Sequence, residues 1–160
     1  MVSNYKKPKK HEALLWSIAL PGFGQFLNRR YYKGSIFILL EFLVNVFANF
    51  NLAFIYSFTG EIQKAIDVTN FQWLMFYPCL YMFAMWDAYR EAEGETNSYS
   101  YLPFVFGAFF VTIGLIYSTK LKIMGVLFGP VILPILFLVP GLSVGLIIYY
   151  ILLKFKGKRK

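Results

Sequence analysis

The sequence predicts an all-α integral membrane protein, in which a short re-entrant or interfacial N-terminal helix precedes four transmembrane helices. Of its 160 residues, 58% are hydrophobic and only 15% are charged, whereas charged residues make up about 25% of a soluble domain. The charges collect at the two ends of the chain and in short loops, and they leave long uncharged runs between them. Because hydrocarbon excludes unpaired charge, this distribution is typical of a chain that lies in a bilayer.

Four apolar runs reach or approach the length of about 20 residues that a helix needs to cross a hydrocarbon core of about 30 Å. We predict transmembrane helices over residues 35–58, 71–89, 101–119 and 123–153. The last run exceeds the length of one straight span and contains Pro130, Pro134 and Pro140. Proline lacks an amide donor and clashes with the preceding turn, so we expect this helix to be kinked, or divided into a half-helix and a full one.

The segment 13–28 is ambiguous, because its apolar run is broken at Pro21-Gly22 and followed by Arg29 and Arg30. If it does not cross and the other four segments do, thirteen of the sixteen cations share one side. Those thirteen are Lys6, Lys7, Lys9, Lys10, Arg29, Arg30, Lys33, Arg90, Lys154, Lys156, Lys158, Arg159 and Lys160. Cytoplasmic loops carry an excess of Lys and Arg, so we predict that this segment re-enters and that both termini are cytoplasmic.

The same charge pattern indicates the partners and the organisation of the chain. Basic flanks beside membrane spans orient them and contact anionic lipid head groups, so we expect lipid and not nucleic acid as the anionic partner of this chain. We divide it into a basic tail (1–12), a first helical unit (13–94), a second helical hairpin (95–153) and a second basic tail (154–160). The predicted location is the cell membrane, which the chain crosses several times with both ends in the cytoplasm.

Three polar residues inside the first predicted span form a candidate intramembrane site. Glu41, Asn45 and Asn49 are spaced at i, i+4 and i+8, which places them in one stripe along a helix. Polar groups in hydrocarbon face protein or water, so the stripe should point into the helix bundle. It is either a substrate or proton path, or a packing stripe in which Glu41 is protonated or paired to a cation.

A second polar group lies where the second predicted span ends, in "MWDAYREAEG". In the predicted topology Asp87 is at the depth of Arg29, Arg30 and Lys33. An ion pair or a helix-end contact is therefore expected there, and a structural role is favoured over a catalytic one. Two glycine pairs with GxxxG spacing, Gly125/Gly129 and Gly141/Gly145, are candidates for close helix packing within the chain or between copies.

The sequence offers little support for common enzyme chemistry. There is no GxxxxGK[ST], GxGxxG or HExxH motif, and the one GxSxG match, "GLSVG" at 141–145, lies inside the long apolar run of the last predicted span and not at a strand-to-helix turn. Cys79 and His11 are the single residues of their types, so neither an internal disulfide nor a Cys/His metal site is expected. We predict no cofactor and no metal.

The stretch "LPGFGQFLNRRYYKG", followed about 50 residues later by "MWDAYREA", resembles the signature of small bacterial membrane proteins related to the TM2-domain group. The first motif is matched by Pro21, Gly22, Gly24, Gln25, Phe26, Asn28, Lys33 and Gly34, and the second by Trp86, Asp87, Ala88, Tyr89 and Arg90. The likeness covers residues 13–94, and the PGxGQ start is also similar to the N-terminal part of some maltose-type sugar-transporter permeases. It implies an architecture and no single reaction, because the group has no one established activity. "NRRYY" departs from the commoner glycine-containing turn.

The physical properties of the first motif are those of a corner. Pro21 and Gly22 end a short helix, and Gly24 permits close approach of another backbone. Gln25 can bond backbone groups that the break leaves free, which lipid cannot do. Lys33-Gly34 then begins the next helix at the membrane interface.

Three functions remain open from the sequence. The first is a non-enzymatic accessory or scaffold subunit that packs through its helices against another membrane protein or a second copy. The second is a component of a small-solute or ion transporter or channel that uses Glu41, Asn45 and Asn49. The third is an enzyme acting on a lipid substrate, with Glu41, Asp87 and Arg90 as its catalytic candidates.

Overall fold

The computed structural model describes residues 6–157, which form nine helices and one short β-hairpin. Residues 1–5 and 158–160, which belong to the two predicted basic tails, lie outside the described residues. The helices are α1 (Lys10–Ala19), α2 (Phe23–Leu27), α3 (Tyr31–Ala48), α4 (Phe50–Phe58), α5 (Ile62–Val68), α6 (Phe71–Leu74), α7 (Tyr77–Glu91), α8 (Leu102–Tyr117) and α9 (Gly129–Gly157). The hairpin pairs β1 (Lys122–Ile123) with β2 (Val126–Leu127).

The predicted helical architecture is confirmed, and two of its helices have the length and apolar composition needed to cross a membrane. These are α3 and α9, with 18 and 29 residues. The apolar helix α8 is shorter, at 16 residues, which corresponds to about 24 Å at a rise of 1.5 Å per residue. Two of the four predicted spans therefore contain a helix that is long and apolar enough to cross a membrane, and the prediction of four transmembrane helices is not confirmed.

The N-terminal segment is broken where the sequence predicts a break. Helix α1 ends at Ala19 and α2 begins at Phe23. Gly22 between them has a φ of 110°, a conformation that side chains with a Cβ rarely adopt. A Cβ at Gly22 would also lie 2.5 Å from the carbonyl oxygen of Gly34, so the corner requires glycine for both reasons.

The first predicted span, 35–58, is not one continuous helix. It divides at Asn49, whose left-handed backbone (φ 55°) separates α3 from α4. Asparagine tolerates this conformation better than most residues do, and its side-chain amide donates to the carbonyl of Val68 at 3.1 Å. The amide of Asn70 bonds the carbonyl of Ala48 at 3.1 Å, so the chain on both sides of the break is held by the α5–α6 connection.

The fourth predicted span begins later than expected, since residues 122–127 form the β-hairpin and α9 starts at Gly129. Helix α9 then runs without interruption through Pro134 and Pro140 and continues to Gly157. It is therefore not divided into a half-helix and a full one. The first part of the second basic tail, residues 154–157, is helical.

The second predicted span, 71–89, becomes α6 and α7, which are separated by Met75 and Phe76 and have Pro78 near the start of α7. Asn70 caps α6 by accepting from the amides of Gln72 and Trp73. Helix α7 packs against α1, α2, α3 and α8. It thereby links the N-terminal corner to the α8–α9 hairpin.

The α8–α9 pair forms the longest helix contact of the described chain, and glycines lie along it. A Cβ on Gly145 would lie 2.5 Å from Cα of Pro103, and one on Gly141 would lie 2.8 Å from the carbonyl oxygen of Phe106. On α8, a Cβ on Gly114 would lie 2.9 Å from Cα of Pro134. We call this contact the glycine seam.

Of the two GxxxG pairs, only Gly141/Gly145 lies within a helix over its whole length. Gly125 is in the hairpin turn with a φ of 83°, and a Cβ placed on it would meet nothing within 4 Å. Gly129 begins α9 with a φ of 70° and lies against Ile62. The proposed face of Gly125 and Gly129 is therefore wrong, because the two residues do not belong to one helix.

Candidate functional site

A polar cluster joins the N-terminal corner to the C-terminal half of α7. The side-chain amide of Gln25 donates to the carbonyl of Ala84 at 2.8 Å and to Oδ2 of Asp87 at 3.2 Å. Asn28 donates to the carbonyl of Ala88 at 2.8 Å. Gln25 and Asn28 are three residues apart around α2, so both meet the same side of α7.

Small residues let the backbones approach closely enough for these bonds. A Cβ on Gly24 would lie 2.5 Å from the carbonyl oxygen of Ala13 and 2.7 Å from Cβ of Ala88. Ala13, Ala88 and Ala92 form a buried cluster at the same contact. Larger side chains here would separate α2 from α7 and stretch the amide bonds.

Charged residues complete the cluster at its outer end. Lys33 Nζ lies 2.9 Å from Oδ1 of Asp87 and 2.6 Å from Oε1 of Glu91, and Nε of Arg30 lies 2.6 Å from Oε2 of Glu91. Asp87 and Glu91 are four residues apart on α7, which places both carboxylates on one face. The side chain of Asp87 is 3% exposed and that of Lys33 is 41% exposed. We call the contacts of Gln25, Asn28, Arg30 and Lys33 with α7 the corner clamp.

The cations of the clamp change the protonation equilibrium of Glu91. Partial burial would by itself raise its pKa, but hydrogen bonds and charge attraction from Lys33 and Arg30 outweigh burial and leave the pKa below its ordinary value. The ionised form of Glu91 is therefore favoured in the folded chain.

The ion pair expected at Asp87 is present, and its close partner is Lys33. Arg30 pairs instead with Glu91. Arg90 reaches Asp87 only at 3.4 Å, and its guanidinium lies 4.6 Å from the ring centroid of Trp86. The structure thus brings the two motifs, PGFGQFLNRRYYKG and WDAYR, into direct contact.

The predicted intramembrane stripe is only partly formed. Glu41 is buried and accepts a hydrogen bond from the hydroxyl of Tyr77 at 2.7 Å, and its other oxygen, Oε2, has no hydrogen-bond partner within residues 6–157. Asn45 is half-buried. Asn49 is exposed and sits in the break after α3, so the stripe of three on one continuous helix is wrong.

The N-terminal tail is held against the end of α7, a contact that sequence reasoning missed. The amide of Glu93 donates to the carbonyl of Pro8 at 3.0 Å, and Lys7 Nζ donates to the carbonyl of Glu91 at 3.2 Å. Lys10 bonds the hydroxyl of Thr96 and lies 4.7 Å from the ring centroid of Tyr89. Partial burial lowers the pKa of Lys10.

Sequence reasoning also missed Glu91 and Tyr77. The spacing of Glu91 four residues after Asp87 was a usable signal, because it predicts two carboxylates on one helix face. For Tyr77 there was no comparable signal, since a tyrosine in an apolar run has many alternative partners. Gln25 bonds a carbonyl of α7 rather than groups freed by the Pro21-Gly22 break, which corrects the role predicted for it.

The arrangement supports packing more directly than chemistry. The clamp's cations face carboxylates, and two of its amide groups face backbone carbonyls. The described residues contain no group of three or more His, Cys, Asp or Glu side chains placed to hold a metal. Among the known proteins compared with the chain, no family model, curated protein or solved structure matches it at a significant level. The likeness to the TM2-domain group stays a prediction.

Proposed function

We propose that the chain is a multi-pass membrane protein of the bacterial cytoplasmic membrane that acts as an accessory or scaffold subunit through helix packing. The observation that carries this proposal is the contrast between the polar groups and the apolar surface. The clamp residues bond to groups on α7, whereas only 28% of the most apolar window of α3 and of α9 is buried within the chain. Phe42 and Val139 are 62% and 66% exposed. Outward apolar faces of this kind are expected to contact lipid or another membrane helix.

The proposed topology has four crossings, with α1 and α2 as the re-entrant or interfacial corner and both termini in the cytoplasm. It is supported by contacts of the two basic ends with one loop. Lys10 bonds Thr96, Lys156 Nζ lies 3.4 Å from the hydroxyl oxygen of Ser98, and Asn97 donates to the hydroxyl of Tyr149 at 2.9 Å. The start of α1 and the end of α9 are therefore at the same end of the bundle. This common end is what an even number of crossings requires.

Single cysteines in a Cys79→Ala background test this topology with an impermeant thiol reagent on intact cells. Tyr32 (81% exposed) and Gln63, which is exposed in α5 after the end of α4, are the two positions. We expect labelling at Gln63→Cys without lysis and at Tyr32→Cys only after lysis. Outside labelling at Tyr32→Cys would overturn the re-entrant corner.

The scaffold role is tested by photo-crosslinking from the exposed face of α9. A photoreactive amino acid at Val139 should give one discrete protein adduct, either a second copy or another membrane protein, identified by mass spectrometry. The matched position is Met124, which is 99% exposed in the hairpin turn and should not give that adduct. Adducts with lipid alone at Val139 would contradict a subunit role.

A transporter or channel component is the second candidate, and Glu41 is the observation that favours it. A buried carboxylate with one oxygen bonded to Tyr77 and the other unpartnered among residues 6–157 is costly in an apolar setting. Such residues often mark ion or proton paths. Flux through proteoliposomes that Glu41→Gln abolishes would support this function, whereas equal flux, or none, in both proteins would remove it.

The lipid-modifying enzyme is the least supported of the three functions. Its candidates Glu41 and Asp87 contact residues far apart along α3 and α7. Glu41 bonds Tyr77 and Asp87 bonds Lys33, which separates the two carboxylates by roughly 12–15 Å along the helices. Two groups at that distance do not act on one reacting bond.

A further inference from the structure

The N-terminal tail and the end of α7 enclose an open basic pocket of about 760 Å³. Lys6, Lys7, Arg30 and Arg90 line it together with the carboxylates Glu91 and Glu93. The tail is held in place by the bond between Glu93 and Pro8 and by the bond of Lys10 to Thr96. The pocket therefore depends on segments about 80 residues apart in sequence that are fixed against each other.

The pocket carries a net positive charge, because it is lined by four basic residues and two acidic ones, and one of the acidic residues is already paired with cations. Glu91 is bonded to Arg30 and Lys33, and hydrogen bonds from these cations hold its pKa below the ordinary value. Arg90 contacts Asp87 at 3.4 Å, so Glu93 alone is then set against Lys6 and Lys7. An anion would be attracted to this pocket.

The cations keep hydrogen-bond donors available after their contacts within the chain. An arginine has five N–H donors and a lysine has three. Arg30 uses Nε for Glu91, and Lys7 uses Nζ for the single carbonyl of Glu91. Arg90 is positioned by the ring of Trp86 at 4.6 Å, with its contact to Asp87 at 3.4 Å. Donors of this kind converging on one space suit the several oxygens of a phosphate.

The position of the pocket identifies the source of that phosphate. Arg30 immediately precedes α3, one of the two helices long and apolar enough to cross a membrane. Tyr31 and Tyr32 follow it and are 61% and 81% exposed, as expected of rings at the level of lipid head groups. Resting on the proposed membrane location, we propose that this pocket binds the phosphate of an anionic phospholipid head group.

Lipid titration of the full chain tests the proposal. The detergent-purified protein is titrated with phosphatidylglycerol or phosphatidylcholine, and bound lipid is counted by native mass spectrometry. We expect one tightly held phosphatidylglycerol, and the double variant Lys6→Gln/Lys7→Gln should weaken its binding by about tenfold or more, given the usual contribution of a basic side chain near an anionic lipid. Arg90→Gln should weaken it in the same direction.

A matched control separates the pocket from general charge. Lys154→Gln/Lys156→Gln removes the same two charges from the same end of the bundle, outside the pocket, and should leave the affinity of that lipid unchanged. Equal weakening by the two double variants would overturn the pocket. Equal binding of phosphatidylcholine would also overturn it. The pocket would likewise be overturned if Lys6→Gln/Lys7→Gln lost lipid binding together with a lowered unfolding temperature while Arg90→Gln bound the lipid normally.

Soluble competitors distinguish the head group from free phosphate. Inorganic phosphate and glycerol phosphate should displace the bound lipid only at concentrations far above that of the lipid. Displacement by either at equal concentration would show a free-phosphate site and overturn the lipid assignment. The membrane proposal itself is checked separately: release of the chain from membranes by alkaline carbonate without detergent would refute it, whereas retention together with failed lipid binding would refute the pocket alone.

Discussion

The corner clamp and the glycine seam hold helices together in opposite ways. In the clamp, Gln25 and Lys33 reach across to α7 with hydrogen bonds and an ion pair to Asp87. In the seam, Gly141 and Gly145 let α9 approach the backbone of α8, without such a network. The clamp depends on which polar groups are present, and the seam depends on which side chains are missing.

This difference indicates which kind of substitution destabilises each contact. Removing one partner of a buried polar network leaves the other partner desolvated and unpaired, which costs more than the bond itself is worth. Adding atoms to a close-packed backbone contact forces the helices apart. We therefore expect the clamp to be destabilised most when a polar side chain is removed, and the seam when a glycine is replaced by a larger residue.

The largest effect is expected from Lys33→Met, which leaves the carboxylate of Asp87 buried without its nearest cation. We expect the free energy of unfolding to fall by about 3 kcal/mol, measured by thermal or denaturant unfolding in detergent. Lys64→Met is the control, because Lys64 pairs with Glu61 on the surface and such a pair contributes less than about 1 kcal/mol. Equal losses in the two variants would contradict the special sensitivity of the clamp.

A smaller effect is expected from Gly145→Ala in the seam. The added methyl would lie 2.5 Å from Cα of Pro103 and 2.7 Å from the carbonyl oxygen of Leu102, both of them backbone atoms that have little freedom to move. Overpacking of this kind costs about 1–3 kcal/mol. Gly157→Ala, in the same helix with nothing within 4 Å, should change the unfolding temperature little. A seam that tolerates Gly145→Ala as well as Gly157→Ala would show that α8 and α9 do not depend on close backbone contact.

The smallest effect is a dependence on pH that belongs to the clamp and not to the seam. Lys33 and Arg30 lower the pKa of Glu91 below its ordinary value of 4.5. Its stabilising contribution is therefore complete above that value and is lost as the pH falls through the lower pKa of the folded chain. Comparison of the chain with Glu91→Gln removes the contributions of the other carboxyl groups.

The difference in unfolding temperature between the unsubstituted chain and Glu91→Gln should accordingly be largest at neutral pH and should decrease as the pH falls below 4.5. In Gly145→Ala, the difference from the unsubstituted chain should stay the same over that range. A gap that is constant with pH in Glu91→Gln would mean that the carboxylate contributes by its shape alone.

Features with strong local signals could be predicted from the sequence, and those set by distant partners could not. Proline and glycine marked the break at Pro21-Gly22, and charge counting placed Asp87 near Lys33. The break at Asn49 was missed because one asparagine in an apolar run has no clear local signal, and the position is fixed by contacts with Val68 and Asn70. The hairpin at 122–127 was missed because residues 123–127 are as apolar as the helix that follows.

The candidate site shows the same division. Gln25 and Asn28 were singled out by the resemblance to the TM2-domain signature, and Asp87 by that resemblance and by its predicted depth beside Lys33. Their true partners include backbone carbonyls of Ala84 and Ala88, and a backbone carbonyl has no signature in the sequence. Glu41 was singled out correctly as a buried carboxylate, but the position of its partner, Tyr77, depends on how α3 and α7 pack.

The sequence distance spanned by the clamp has a consequence for how the chain is made. Its side-chain bonds join residues 54 to 62 positions apart, and contacts of such separation form late because a long loop must be closed first. A growing chain exposes Gln25, Asn28 and Lys33 well before α7 has been synthesised. The N-terminal corner should thus reach its final arrangement only after Glu91 has left the ribosome, and a nascent chain stalled before that residue should keep the corner open to proteases.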